Sequence, residues 1–146
     1  MERWLGTGGM DIIGQLGASF DEYGVTRERD QGRELELGWV RGTWNPTGLA
    51  CNPHGIVQAG VHGVMLDAAM NFAVNACLEG RDRTKATLEM KVETMRPARL
   101  GDQLGFQGRV IRVTRQVAFV QAQIDLTDGN ISSRSTGTFL LHREPS

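Results

Sequence analysis

Cysteine is scarce in this chain of 146 residues, which carries only Cys51 and Cys77. Two are too few for the disulfide framework that staples small secreted domains. Nor does a charged stretch, followed by an apolar run and a small-residue cleavage site, open the sequence. A reduced, cytoplasmic protein with two buried thiols is expected. Net charge is also lacking, with sixteen Lys and Arg against seventeen Asp and Glu, a formal −1. No global field draws the chain to nucleic acid or to an anionic membrane, so neither is an expected partner and any anion site must be local. The uncharged stretch before Asp67 is broken by Pro53, His54, His62 and several glycines, which excludes a membrane span. The glycines Gly6 to Gly9 have no strand before them and no Gly-Lys-Ser/Thr after them, so they form no phosphate loop. His54, His62 and His142 lack the spacing of a zinc motif, and no metal is expected. Cys51 has His54 and His62 near it in sequence, but that does not make a catalytic dyad in space.

What is present is enough apolar residue, 40%, for one core in a chain of this length. The glycine-rich first part, residues 1–32, is read as a cover segment with one short helix around Met10 to Tyr23, where Ile12, Ile13, Leu16 and Phe20 recur near helical spacing. The main domain is then 33–146. Leu35, Leu37 and Trp39 alternate through a strand from Arg33 to Val40, ended by Asn45-Pro46-Thr47-Gly48. From Gln58 to Leu78 runs an apolar segment too long for a strand, read as a buried helix. The period then switches to two. Leu88, Met90 and Val92 fall on one face and Thr87, Glu89, Lys91 and Glu93 on the other, until Arg96-Pro97. Further strands are expected over Gln103 to Thr114, Gln116 to Leu126 and Ile131 to Leu141, joined by short turns that make antiparallel neighbours. The order is α+β, and a helix apolar nearly all round is most economically enclosed by a curved antiparallel sheet.

The chemistry-bearing feature lies within that helix. Between Ile56 and Leu78 the single formally charged residue is Asp67, and an ionised carboxylate there is costly unless partnered. Asn71 and Asn75 follow at four-residue steps, so the three form one polar stripe facing a polar space or a partner. Taken alone, the stripe fits either a satisfied polar seam between packed elements or a functional carboxylate.

The stretch Asn52 to Met70, NPHGIVQAGVHGVMLDAAM, resembles the signature of hotdog-fold thioesterases of the phenylacetate-pathway type and their 4-hydroxybenzoyl-CoA thioesterase-like relatives. That signature has Asn, then His-Gly-Gly six residues on, then an acid nine residues after the His. Asn52, Gln58, Ala59, Gly60 and Asp67 stand at those spacings, and the likeness continues through Thr87 to Leu104 and the closing strands. Gln58 replaces the usual His and Ala59 the first Gly. The Gln amide can still donate a hydrogen bond but cannot titrate. A rival frame on His62-Gly63 would put the acid five residues on, and His62 is read instead as a packed or capping histidine.

The resemblance implies a hotdog fold, a long helix wrapped by a curved sheet, working as a homodimer or homotetramer on acyl-CoA, with no cofactor beyond the coenzyme A of the substrate. It implies an oxyanion hole from the N–H of Ala59 or Gly60 with the Gln58 amide, and Asp67 as general base or nucleophile. It further implies a supporting hydroxyl at Thr87, ten residues before Pro97, and an orienting role for Asn52, which is equally a turn former. Coenzyme A phosphates call for basic residues, with Arg81, Arg83, Lys85, Arg96, Arg115 and Arg134 as candidates. The alternative is a hotdog protein that binds acyl-CoA without hydrolysing it, or a hydratase-type relative. Dehydratases of the fold use a His with an acid, so Gln58 favours hydrolysis. Phe72, Met65 and Met70 suggest medium-chain or aromatic acyl groups.

Overall fold

The computed structural model describes residues 1–145. Two helices, α1 (Asp11–Gln15) and α2 (Ala59–Ala76), accompany six strands: β1 (Ala18–Asp30), β2 (Arg33–Trp44), β3 (Arg83–Thr94), β4 (Leu104–Val113), β5 (Val117–Asp125) and β6 (Ile131–His142). The strands form one sheet in the order β1-β2-β4-β5-β6-β3, each neighbour antiparallel. Helix α2 packs on β2, β4, β5 and β3, which gives the expected helix wrapped by a curved antiparallel sheet.

Apolar side chains fix that arrangement. Met65, Leu66, Met70 and Val74 of α2 are fully buried, as are Val40, Val120, Ile124 and Phe139 of the sheet. Burial of each such side chain is worth about 1.5–3 kcal/mol. The helix can lie this close because glycines stand where its backbone passes. A Cβ at Gly38 on β2 would collide with the carbonyl oxygen of Ala73, and one at Gly108 on the neighbouring β4 would sit 2.6 Å from that of Ala69. Ala69 and Ala73 are one helical turn apart, so two glycines on adjacent strands accommodate consecutive turns.

Three expectations need correction. The helix expected over Met10 to Tyr23 is only five residues long, and from Ala18 the same stretch becomes β1, so the segment 1–32 contributes an edge strand to the sheet. A bulge between Phe20 and Glu22, and a hairpin running out past the helix with nearly every residue exposed, leave β1 without an alternating pattern. The hairpin turns on Gln31 and Gly32, both with positive φ, as a two-residue type I′ turn requires. The second correction concerns β3, where bulges fall between Thr84 and Ala86 and between Thr87 and Glu89. Thr87 pairs with buried Phe139 and Met90 with Gly137, so both belong to the helix face, with Leu88 the extra residue between them. Thr87 therefore does not share a face with Glu89. Third, Cys51 and Cys77 are half-buried free thiols, not fully buried ones.

Candidate active site

The start of helix α2 is positioned by the loop before it. Asn52 Oδ1 accepts the N–H groups of His54 at 2.9 Å and Ile56 at 3.1 Å, closing a tight loop whose far side is bonded to the segment after β3, Val57 N–H to Ala98 O and Leu100 N–H to Gly55 O. Asn52 is thus a turn former that shapes the approach to the helix. Gln58 takes the N-cap position, yet its exposed side chain makes no capping bond. Its backbone N–H donates to Ala50 O, and its carbonyl accepts from Val61. Among the described residues, the N–H groups of Ala59 and Gly60 have no partner. These two unspent donors lie at the positive end of the helix dipole, where an oxyanion is favoured.

Asp67 lies two turns further on, half-buried, and its Oδ1 accepts the Thr87 hydroxyl at 2.8 Å. The bulge at Leu88 turns Thr87 toward the helix, so a strand irregularity invisible to period counting makes this contact. The rest of the stripe follows the same strand. Asn75 and Asn71 bond to Thr84, three residues before Thr87, where the first bulge again keeps a threonine on the helix. The stripe is therefore a seam between a helix and the edge strand β3. Its distal half is largely satisfied internally, while Asp67 has a single side-chain partner among the described residues.

Beside the distal half lies a cavity of about 700 Å³, reached through walls that include Ala68, Asn71, Phe72, Phe20, Trp4 and Met10, with Arg3, Arg81 and Arg83 also lining it. Its lining begins one residue beyond Asp67 and includes neither Thr87 nor Gln58. Of the six basic candidates, Arg81 and Arg83 meet at this cavity, and Lys85 follows on the strand, exposed. The other three are dispersed. Arg96 donates to Ile131 O at 3.0 Å, Arg134 pairs with Glu93 at 3.1 Å, and Arg115 is exposed in the β4–β5 turn with its carbonyl bonded by Arg143. Arg3, Trp4 and Met10 escaped the sequence reading because the glycine-rich terminus has no period from which to infer what its side chains face.

His62 is buried, its Nδ1 2.7 Å from Ser133 Oγ and its ring edge-on to Trp44. Burial pushes its pKa below the ordinary imidazole value, so it is a packed neutral histidine. Among the described residues, no group of His, Cys, Asp and Glu is arranged to hold a metal ion. Nor, among these residues, is any helix long and apolar enough to cross a membrane.

A family model described as Thioesterase superfamily matches residues 54–132, more than half of the chain. Among solved structures, a phenylacetic acid degradation-related protein of Ralstonia eutropha JMP134 is 28% identical, with 89% of each chain covered and a TM-score of 0.70. A thioesterase of Haemophilus influenzae shares the fold at 19% identity, covering 90% of this chain and 82% of its own, TM-score 0.74. A hypothetical thioesterase protein of Streptococcus pneumoniae TIGR4, solved with coenzyme A, does so at 20% identity over 87% and 91%, TM-score 0.66. The comparison with curated proteins gives no match. The matched segment carries the helix start with its free N–H groups, Asp67 and Thr87, on a helix wrapped by an antiparallel sheet. This chain belongs to the thioesterase superfamily and is a thioester hydrolase of the hotdog fold.

Proposed function

We propose that the chain hydrolyses acyl-CoA to free acid and CoA in the cytoplasm, with Asp67 as the catalytic carboxylate. The observation that carries this is the Asp67–Thr87 contact. With Oδ1 engaged by the threonine hydroxyl, Oδ2 is left to take a proton from water attacking the thioester carbonyl, or to attack that carbon itself and form an anhydride. The negative charge that develops on the carbonyl oxygen is received by the N–H groups of Ala59 and Gly60, with the Gln58 amide as a further donor. The CoA thiolate then departs, protonated by Asp67 in the general-base route and by solvent in the nucleophilic route. In the nucleophilic route water afterwards hydrolyses the anhydride to the free acid and restores the Asp67 carboxylate. Asn52 acts on this chemistry by holding the loop that sets the helix start.

The two halves of this machinery cannot serve one carbonyl within one subunit. Helix α2 begins at Ala59, and the eight residues to Asp67 rise about 12 Å. A two-fold dimer supplies the missing half by bringing a second helix alongside. Edge strand β3 supports this, since its outer edge is unpaired and Leu88 and Met90 on it, with Met95 just beyond its end, are exposed. Such a run of apolar side chains on an unpaired edge is ordinarily covered. Further pairing of dimers gives the homotetramer. Arg81, Arg83 and Lys85 are placed to meet CoA phosphates beside the cavity, with Arg96, Arg115 and Arg134 more distant from it.

A panel of acyl-CoA substrates with thiol detection tests the proposal. Wild type should release CoA, and Asp67→Asn, which keeps an acceptor for Thr87, should stay folded with turnover reduced at least about a hundredfold. Near-normal kcat in that variant makes Asp67 structural. Tight CoA binding without release by wild type makes the protein a binding module.

A further inference from the structure

The hydrogen bonds of the distal stripe fix which of its atoms is left over. The backbone N–H of Thr84 can only donate, and it does so to Asn75 Oδ1 at 3.0 Å. Asn75 Nδ2 is therefore the atom 3.0 Å from the Thr84 hydroxyl, and it also faces Asn71 Oδ1 at 3.4 Å. Having accepted from Asn75, the Thr84 hydroxyl turns its own proton to Asn71 Oδ1. The oxygen of Asn71 is thus committed, and Asn71 Nδ2, with two protons to give, has no protein acceptor among the described residues. It is not sealed away, since among the described residues no buried side-chain polar atom lacks a partner. Asn71 lines the cavity, whose other walls include Phe20, Phe72, Trp4 and Met10. Arg3, Arg81 and Arg83 stand on the same walls, but Asn71 Nδ2 is a donor whose direction the Thr84 bond fixes. Such a donor discriminates between occupants that can accept a hydrogen bond there and those that cannot.

We infer that Asn71 is a specificity-determining residue, its Nδ2 donating to an acceptor oxygen on an acyl group that fills this cavity, an assignment that takes Arg81 and Arg83, which also line it, away from the CoA phosphates. The inference rests on the acyl-CoA hydrolase reading above, with the thioester carbonyl at Asp67. Asn71 is the next turn of the same helix face, a rise of about 6 Å. An extended chain advances about 1.2 Å per bond, so the oxygen sits about five bonds from the carbonyl carbon. An oxygen on the fifth carbon meets that distance, while one on the second or third falls short.

The test compares 5-oxohexanoyl-CoA, whose added oxygen can only accept, with hexanoyl-CoA. In wild type, kcat/KM for the oxo substrate should be about three- to tenfold higher, the net effect of one hydrogen bond. Asn71→Asp keeps the acceptor for Thr84 but faces the substrate oxygen with a carboxylate, and the ratio should fall below one. In Asn71→Ala it should approach one. Because each ratio is taken within one protein, a general loss of folding cancels, and the wild-type ratio requires no variant. Equal values in wild type, or a ratio unchanged by both substitutions, overturn the assignment of Asn71 while leaving the hydrolase reading intact. If wild type releases CoA from neither compound nor from any acyl-CoA, the hydrolase reading falls and this inference with it.

Discussion

Mixing two inactive variants should restore activity if the site is shared between subunits. The proposed oxyanion donors sit at Ala59 and Gly60 and the proposed catalytic carboxylate at Asp67, about 12 Å apart along one rigid helix, whereas a reacting carbonyl must lie about 3 Å from both groups. Asp67→Asn removes the base and retains Gln58; Gln58→Ala removes a side-chain donor and retains Asp67. Each variant alone should run at about a hundredth of normal or less. When equal amounts are unfolded and refolded together, random pairing puts about half of the dimers in the mixed class. In a mixed dimer, one site combines the intact Gln58 of one chain with the intact Asp67 of the other, and the second site carries both defects. About a quarter of wild-type activity should therefore return, far above the sum of the parents. The assay is CoA release followed by thiol detection, with co-refolding of two differently tagged wild-type chains as the control for exchange. A mixture that stays inactive while that control exchanges efficiently refutes the shared site.

The Gln58→Ala variant should lose more in kcat than it gains in KM, because a bond to the oxyanion strengthens as charge develops; a pure KM effect in steady-state kinetics would make Gln58 a substrate-binding residue. Gly38→Ala should lower the thermal midpoint, since the new methyl collides with the Ala73 carbonyl. Overpacking of about 3 kcal/mol corresponds to about 6–12 °C in a domain of this size, and a shift under about one degree would show that the helix moves aside at little cost. For His62, burial depresses the folded-state pKa, so stability is full above the unfolded value of about 6.5 and declines as pH falls toward the lower folded value. Denaturant midpoints measured through that range should fall more steeply for wild type than for His62→Gln, and parallel curves would remove His62 as the cause.

Much of this molecule was legible in the residues themselves, for physical reasons. A lone acid in an otherwise uncharged apolar run marks both the buried helix and a position that needs a partner, because desolvation makes an unpartnered charge there costly. The central and closing strands could be read because one face is buried and the other wet, which imposes a period of two. Where that asymmetry fails, so did the reading. Strand β1 projects past the helix into solvent on both faces, and its charged residues Arg27 to Asp30 carry no pattern to count. On β3, two bulges shift the phase, and only the pairing with β6 shows that Thr87, not Leu88, meets the helix. The sequence by itself determined how far apart Gln58, Asp67 and Asn71 stand along the helix, since the rise per residue is fixed by backbone geometry. The tertiary structure alone decided which side chains come together across long stretches of chain: Asp67 with Thr87, Asn71 with Thr84, and Trp4 and Met10 with the far turns of α2. Those juxtapositions depend on sheet order and strand register, which arise from packing the whole chain at once and leave no local trace in the order of its residues.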